Sequence, residues 1–212
     1  MRKIVVLIAI FMFGPLEAAL ATGSAQAAPS ITQAEQFVHR VGDEALDLLA
    51  RYNNRPNPQY RDRLKALISE NFDLERGTKF VLGRYWDSAT PQQKNQLVAL
   101  LPAYALEIAT RTFFALRARD IQEFTVVGAT PSAETDVLVL THVSVGGSPP
   151  LNIGWRVHEA NGRLKVVDAT VEGISVAITL RDMVGAEVAQ KGIAGLIADV
   201  NTKLRELNAA TD

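Results

Sequence analysis

The chain contains no cysteine among its 212 residues, so neither disulfides nor thiolate chemistry can support its fold or its function. Only three histidines occur, His39, His142 and His158, and none has the spacing of paired metal ligands on one helix. Solvated or locally hydrogen-bonded imidazoles are therefore expected at all three positions. Without covalent or metal crosslinks, stability must come from an apolar core.

Glycine-rich phosphate loops and catalytic serine motifs are also missing. Gly77 and Gly83 stand singly among helix-forming residues, which favours close packing or a helix break over a phosphate cradle. The segment around Gly173 and Ser175 comes close to a nucleophile elbow. No histidine follows Ser175, however, and the residues after it are interpreted as a continuing strand, which argues against a hydrolase. Carboxylates are scattered, and no catalytic residue, metal site or cofactor is predicted.

Charge of one sign is not concentrated anywhere. The 22 basic and 23 acidic side chains are interspersed and give a formal net charge of −1. A basic stripe that could meet nucleic acid phosphates is therefore lacking, and a nucleic-acid partner is not expected. The length suffices for one sizeable core, and nothing in the composition demands a second domain.

Residues 1–27 have the order of a secretory signal peptide: two basic residues, an apolar run and small residues. The apolar run ends at Gly14 and Pro15, short of the roughly 20 residues that a membrane-spanning helix needs. We expect cleavage after Ala27 and a single domain of residues 28–212. In a Gram-negative bacterium the product would lie in the periplasm.

Helical periodicity runs from Ser30 to about Arg119. A short helix is predicted over 73–86, and sequence signals for helix starts are Thr32 with Glu35, Asn57 with Pro58, and Thr90 with Pro91. Pro102 lies inside the last of these helices and is expected to kink it. A further helix is predicted from Asp182 onward.

After Asp120 the apolar period changes to two, which predicts β-strands. The predicted strands are residues 121–129, 135–145, 151–160 and 163–178. Asn161-Gly162 is a strong hairpin signal between the last two. The pattern predicts an α+β domain, with N-terminal helices and a C-terminal helix packed on a curved antiparallel sheet of about four strands.

Three segments resemble the MlaC family of periplasmic lipid-binding proteins, also called Ttg2D or toluene-tolerance proteins. Phe72–Leu106 resembles the family's run of an aromatic residue before aspartate, Leu-Gly-x-x-Trp and Thr/Ser-Pro-x-Gln. The family's Asp-x-x-x-Glu-Gly-hydrophobic-Ser signature is similar to Asp168, Glu172, Gly173, Ile174 and Ser175. Lys191–Leu204 resembles its closing helix. The three segments occur in the family's order and together cover nearly all of residues 28–212.

The resemblance implies an NTF2-like or cystatin-like fold that encloses an apolar pocket for phospholipid acyl chains. It also implies a carrier, not an enzyme, without cofactor. Such a carrier moves lipid between an outer-membrane lipoprotein complex and an inner-membrane ABC transporter with a substrate-binding hexamer, and so maintains outer-membrane lipid asymmetry. A shuttle of this kind can work as a monomer.

A carrier needs an apolar pocket because one acyl chain of about 15 methylenes exposes roughly 12 kcal/mol of apolar surface to water. The residues expected to line it are Phe80, Leu101, Tyr104, Phe113, Val139, Val143, Trp155, Val157 and Ile174. Filling of an ordinary core explains each of them equally well, because periodicity shows that a face is buried but not against what. Arg181 is the candidate for a headgroup phosphate, with a salt bridge to Asp168 or Asp182 as the alternative.

Other functions fit the same pattern. The ligand could be another lipid, such as a rigid hopanoid. An NTF2-like enzyme would place His142 or Asp168 in the pocket with no group neutralising it. An adaptor for another protein would instead show a shallow exposed apolar patch without a pocket.

Overall fold

The computed structural model describes residues 28–54, 57–116, 121–133, 135–146 and 149–209. The elements in these ranges are α1 Ile31–Asn54, α2 Pro58–Asn71, α3 Leu74–Leu82, α4 Arg84–Ser88, α5 Pro91–Phe114, β1 Ile121–Ala133, β2 Asp136–Val145, β3 Leu151–Ala160, β4 Arg163–Val171, β5 Ile174–Ser175 and α6 Val176–Ala209. The signal peptide predicted for residues 1–27 lies outside the described residues. Its cleavage and the domain boundary that depends on it stay predictions.

The five strands form one open antiparallel sheet in the order β1-β2-β3-β4-β5. Each strand pairs with the next along the chain, so the predicted meander is confirmed, and so is the α+β class. Asn161 and Gly162 both have positive φ, 51° and 73°, between the paired residues Ala160 and Arg163. This is the two-residue hairpin turn that Asn-Gly favours.

The end of the fourth predicted strand is wrong. β4 stops at Val171, the chain reverses at Glu172 and Gly173, and a two-residue β5 leads into α6 at Val176. Glu172 and Gly173 have φ of 50° and 80°, so Gly173 serves a tight turn and not a bend within one long strand. The error arose because a short, nearly continuous apolar run does not distinguish a strand from a helix.

Two predicted helix starts are confirmed, since Asn57 and Thr90 each accept a hydrogen bond from a backbone N–H of the first turn, and Asp73 caps α3 in the same way. The prediction for α1 is wrong. Its capping box uses Ser30, whose Oγ accepts from the N–H of Gln33 at 3.2 Å, because Ser30 and Gln33 fit the pattern two residues earlier.

Two of the predicted helices are interrupted at glycines. Gly83, at φ 50°, divides the helix predicted over 73–86 into α3 and α4. Gly192, at φ 70° and ψ 173°, interrupts α6. Pro102 does lie inside α5 as expected. The half of α6 before Gly192 and the half after it therefore run as separate helical segments.

The apolar core consists of three clusters. The first joins α1 to the sheet through Ala34, Phe37, Val38, Val137, Val139, Val157 and Val166. The second joins α3, α5 and α6 through Leu82, Leu97, Val188, Leu196, Ile197 and Val200. The third joins α1 and α2, with Leu48, Leu64 and Leu67 buried. In the described residues, α1 therefore packs on the sheet through one cluster and on α2 through another, while α3, α5 and α6 share the third.

A buried ion network ties α2 to α5. The Glu107 side chain is 3% exposed and contacts Arg61 at 3.0 Å, Lys65 at 2.7 Å and Arg111 at 2.8 Å. Burial opposes ionisation, but the hydrogen bonds from Lys65 and Arg111 and the charge of Arg61 outweigh it and hold the pKa of Glu107 below its ordinary value. Arg111 also donates to the Leu207 carbonyl of α6.

Candidate functional site

The candidate site begins on the sheet face that the helices cover, here called the inner face. Its residues are Val137, Val139, Thr141 and Val143 of β2, Leu151, Ile153, Trp155 and Val157 of β3, Val166, Ala169 and Val171 of β4, and Ile174 of β5. The register pairs Val139 with Trp155. The four strand residues predicted to line a pocket, Val139, Val143, Trp155 and Val157, therefore share one face.

Burial divides the inner face into two ends. At the covered end, Val137, Val157 and Val166 are at most 2% exposed beneath α1. At the open end, Val143, Ile153 and Val171 are only partly buried. Ile174 is 37% exposed there. Val139, fully buried, belongs to the covered end together with Val157, and both fill the core.

The one polar side chain among these inner-face residues is internally satisfied. The indole N–H of Trp155 donates to Thr141 Oγ1 at 3.0 Å, and the Thr141 hydroxyl donates to the Ile153 carbonyl at 3.1 Å. Thr141 itself is fully buried. Because these groups need no external partner, the open end presents apolar surface without an unpaired polar group of the sheet's inner side chains.

The apolar surface continues from Ile174 onto the first turns of α6. Val176, Leu180 and Met183 are 41–49% exposed and lie at i, i+4 and i+7, on one side of the helix. They are called the open stripe. Five of the ten large apolar side chains that are exposed in the described ranges fall within residues 174–183. This stripe was not predicted from the sequence, because its first half was assigned to a strand, although the residues have the i, i+4, i+7 spacing of a helix.

Helix α5 contributes further uncovered apolar surface. One 18-residue window of α5 is apolar enough to cross a membrane, yet only 22% of that window is buried. Along one stripe the burial decreases toward the C-terminus: Leu97 is fully buried, Leu101 and Tyr104 are partly buried against the cluster of α3, α5 and α6, and Ile108 is 40% exposed. The C-terminal part of this stripe is therefore the part of α5 that is a candidate to contact an apolar ligand.

The other predicted helical residues lie apart from these. Phe113 packs in the cluster of α1 and α2, against the ring of Phe114. Phe80 is 39% exposed and lies under the guanidinium of Arg181, 5.2 Å from the ring centre. Arg181 has no carboxylate within 4 Å among the described residues, so the alternative salt bridges to Asp168 and Asp182 are wrong. The predicted lining residues that belong to the core are thus divided among its three clusters: Val139, Trp155 and Val157 in the first, Leu101 and Tyr104 in the second, and Phe113 in the third.

Two comparisons with known proteins bear on this arrangement. A family model described as MlaC protein matches residues 39–202. The chain belongs to the MlaC family. The fold is also similar to that of a phospholipid-binding protein from Ralstonia solanacearum, solved at 1.53 Å in complex with a phospholipid. The two chains are 22% identical with a TM-score of 0.65, and the match covers 82% of this chain and 98% of the other.

The signature that resembles the MlaC family fixes where α6 begins. Ser175 Oγ donates to Asp168 Oδ2 at 2.6 Å and accepts from the N–H of Ile178 at 3.0 Å, as an N-cap does. Asp168 Oδ1 accepts from the N–H of Ala177 at 3.0 Å, and Arg156 neutralises the carboxylate. Ser175 therefore lies at a strand-to-helix turn, contrary to expectation. Its hydroxyl donates a hydrogen bond to Asp168, however, and not to a histidine.

The glutamate of the same MlaC signature fastens the turn to the sheet. Glu172 Oε1 accepts from the N–H of Asn152 at 2.6 Å, and Oε2 accepts from its side-chain amide at 3.0 Å. These hydrogen bonds hold the pKa of Glu172 below its ordinary value. Asp168, Glu172 and Ser175 together are called the brace. Their role is to position Ile174 and the open stripe.

The pocket expected of an MlaC-family protein does not coincide with the two concavities found in the described residues. One, of about 620 Å³, lies near the β3–β4 turn and is lined by Ser69, Phe72, Asp73, Leu74, Glu75, Ala160, Asn161, Arg163 and Lys165. The other, of about 580 Å³, lies between α1 and β1. Neither contains a predicted lining residue. At the candidate site, Ile174, Val176, Leu180 and Met183 are 37–49% exposed.

The groups proposed for an NTF2-like enzyme are not placed for catalysis. Asp168 is neutralised in the brace, and His142 is exposed and lies on the outer face of β2. His158 is buried, and its Nδ1 accepts from Arg76 at 2.9 Å. In the described part of the chain, no cluster of three histidine or acidic side chains could hold a metal ion.

Proposed function

We propose that this protein binds a phospholipid and that the acyl chains lie on the open end of the inner face, the open stripe of α6 and the uncovered side of α5. The observation that carries the proposal is the division of one apolar face into a covered end and an open end. A core that only stabilises the fold has no reason to leave Ile174, Val176, Leu180 and Met183 at 37–49% exposure.

The physical match is to a chain of methylenes. Each methylene removed from water contributes about 0.8 kcal/mol. An acyl chain that covers this surface therefore removes apolar area of both the lipid and the protein from water, and this burial favours binding. A charged ligand atom has no partner on the open end, whose inner polar groups bond to each other. Arg181 remains the predicted contact for the lipid phosphate, since its charge is not neutralised by a nearby carboxylate in the described residues. Because it lies on the opposite side of α6 from the open stripe, the headgroup would have to reach around the helix to contact it.

The binding protein acts as a carrier in the periplasm. Membership of the MlaC family and the signal-like residues 1–27 support this part of the proposal. The phospholipid bound by the structurally similar Ralstonia solanacearum protein supports the ligand class. As a carrier, the protein would exchange lipid with an outer-membrane lipoprotein complex and an inner-membrane ABC transporter with its substrate-binding hexamer, and so maintain outer-membrane asymmetry. The transporter would supply the energy.

The deciding experiment identifies the ligand directly. The full chain is expressed, purified without detergent and extracted with organic solvent, and the extract is analysed by mass spectrometry. Phospholipid in stoichiometric amount is expected. A hopanoid-like molecule would replace the ligand class, and a protein that is empty and cannot be loaded would contradict lipid binding and leave a protein adaptor as the explanation.

A pair of variants tests the location of the ligand. Val143 is partly buried on the inner face of β2, whereas Leu140 is 40% exposed on the outer face of the same strand. Val143→Asp should abolish lipid co-purification in a folded protein, because a carboxylate on the lipid surface is left without a partner. Leu140→Asp adds the same charge on the same strand and should load normally. Normal loading of both variants would exclude the inner face.

A further inference from the structure

A second surface lies on the other side of α6 from the open stripe, and it combines aromatic rings with cations. Arg84 lies over Tyr85 at 5.0 Å, Lys94 over Trp86 at 5.5 Å and Arg181 over Phe80 at 5.2 Å. Ile178, three residues before Arg181 on the same side of the helix, is 51% exposed. These residues are called the aromatic-cation face.

The pieces of this face belong to one packed unit. A Cβ placed on Gly83 would lie 3.0 Å from Arg181 Nε, and a Cβ on Gly185 would lie 3.9 Å from the ring of Tyr85. The first half of α6 therefore packs directly on the junction of α3 and α4. Ile178 and Phe80 thus stand on the same side of the molecule as the three cations.

The charges on this face are not neutralised internally. Arg84, Lys94 and Arg181 have no carboxylate within 4 Å in the described ranges, in contrast to the three cations that share Glu107. Lys79, also over Trp86, is paired with Glu75. Two acids of the same segments, Asp87 and Asp182, leave a small net positive charge. Apolar contacts must therefore supply most of the affinity of this face for a partner. The cations would supply the preference for a partner of negative charge.

We propose that the aromatic-cation face docks on the surface of an anionic membrane. Phe80 and Ile178 would enter the boundary between headgroups and acyl chains, and Arg84, Lys94 and Arg181 would contact lipid phosphates. Aromatic rings and cations with apolar stems are the side chains that suit this boundary. Anionic lipids match the charge of the face, which makes a membrane the occupant that fits.

Docking would also place the site of the proposed function near the membrane. The open stripe lies on the opposite side of the same turns of α6, so a docked protein would hold it about one helix diameter, roughly 10 Å, from the bilayer surface. Membrane docking is nevertheless a property separate from lipid binding. A protein could carry lipid without touching a bilayer, and the two are measured by different experiments.

The test uses the purified full-chain protein and two kinds of vesicle of equal size. One contains phosphatidylethanolamine and phosphatidylglycerol, and the other contains only zwitterionic phosphatidylcholine. Co-sedimentation measures the bound fraction at low and at high salt. We expect binding to the anionic vesicles, weakened by salt, and at least fivefold weaker binding to the zwitterionic ones, since each basic side chain near an anionic surface contributes about that factor.

Matched variants distinguish this face from the rest of the surface. Ile178→Ser should weaken binding to anionic vesicles roughly tenfold, since the exposed side chain loses its apolar contact. Val127→Ser, at a residue 47% exposed on β1, is the control and should bind normally. The double change Arg84→Gln with Lys94→Gln should remove the preference for anionic vesicles. Lys203→Gln with Arg205→Gln, near the end of α6, changes the net charge equally and should keep it.

Three results would overturn the proposal: no binding to either vesicle, equal binding to both, or equal losses in the face variants and their controls. The first would leave a protein partner as the occupant of the face. Bound lipid is determined in the same preparations by mass spectrometry. The Ile178→Ser variant should keep its bound phospholipid. A loss of vesicle binding with normal phospholipid loading would therefore separate docking from lipid binding. A wild-type protein without phospholipid would contradict the proposed function but not the docking proposal.

Discussion

The covered and open ends of the inner face have the same apolar alternation and different neighbours. Val157 lies beneath α1 and is fully buried, while Ile153, four residues earlier on the same strand, is only partly buried. Both side chains are aliphatic and β-branched, and both are favourable in strands. The difference therefore comes from the helix layer above them, since α1 covers only one end of the sheet.

This difference separates stability from binding. A residue at the covered end contributes to folding because protein atoms surround it, and its loss leaves a cavity or an unpaired charge. A residue at the open end has fewer protein neighbours, so its contribution appears when a ligand covers it. Four predictions test this separation, in order of decreasing effect.

The largest effect is expected from a charge at the covered end. Val157→Asp places a carboxylate at a fully buried position and should destabilise the fold by about 4 kcal/mol or more. Ile174→Asp, at the open end, should change the free energy of unfolding by less than about 1 kcal/mol and should lower lipid loading. Urea unfolding and lipid extraction measure the two effects. Similar unfolding midpoints for both variants would remove the distinction between the ends.

The next effect concerns the buried network of Glu107, which lies away from the open end. Glu107→Gln leaves Arg61, Lys65 and Arg111 without their shared carboxylate and should cost about 3 kcal/mol. Lipid loading per folded molecule should not change. Glu206→Gln, at an exposed position of α6, removes one acid elsewhere and should unfold like the wild type.

The pH dependence of that effect has a defined sign. The pKa of Glu107 is lower in the folded protein than in the unfolded chain, so its contribution is fully present above the unfolded value of about 4.3. It is lost as pH falls through the lowered folded pKa. The stability difference between wild type and Glu107→Gln should therefore shrink as acid is added below about pH 4. A difference that stays constant down to the acid limit would contradict the assigned ion network.

A smaller effect is expected at the brace. Ser175→Ala removes the N-cap of α6 and should destabilise the protein by about 1 kcal/mol. Because the cap sets the position of the open stripe, lipid loading should also decrease. Thr179→Ala removes a hydroxyl that bonds back to the Ser175 carbonyl one turn later, and it should leave loading unchanged. Equal loading in both variants would show that the brace serves stability only.

The smallest effect on stability is expected within the first turns of α6, where two exposed sides have different roles. Leu180→Ser and Ile178→Ser should each change stability by less than about 0.5 kcal/mol, as surface substitutions usually do. Leu180→Ser, on the open stripe, should reduce the amount of bound phospholipid, and Ile178→Ser should not. Mass spectrometry of extracted lipid measures this. If Ile178→Ser lost bound phospholipid and Leu180→Ser kept it, the lipid would lie on the aromatic-cation face and not on the open stripe.

Much of the fold follows from local sequence signals. The sequence predicts the strands β1 to β4, the Asn161-Gly162 hairpin and the starts of α2, α3 and α5. These features are predictable because a cap or a turn depends on a few adjacent residues. The start of α6 was not predicted, since Glu172 and Gly173 lie inside an apolar run and were interpreted as a bend within one strand. The turn there is fixed by Asn152, 20 residues before Glu172, and by Asp168, which contacts Ser175 only once the strand-to-helix turn has formed.

The candidate site was predictable only in part. Val143 and Ile174 lie on the inner face where it opens, whereas Trp155 packs against the cluster of α1 and the sheet, and Leu101 and Tyr104 pack against the cluster of α3, α5 and α6. A contact of any of these residues with lipid stays a prediction. Val139 and Val157 turned out to be core, with equal periodicity. The open stripe was missed although its spacing is helical, because the helix was expected to begin at Asp182.

The sequence by itself determined the alternation, the caps and the family, since these are properties of neighbouring residues and their order. It also determined that an inner face exists, because apolar residues recur at every second position through most of β2, β3 and β4. Only the tertiary structure decided which end of that face is covered. Coverage depends on where α1 and α6 are placed over the sheet, and that placement is set by contacts between residues far apart in the chain.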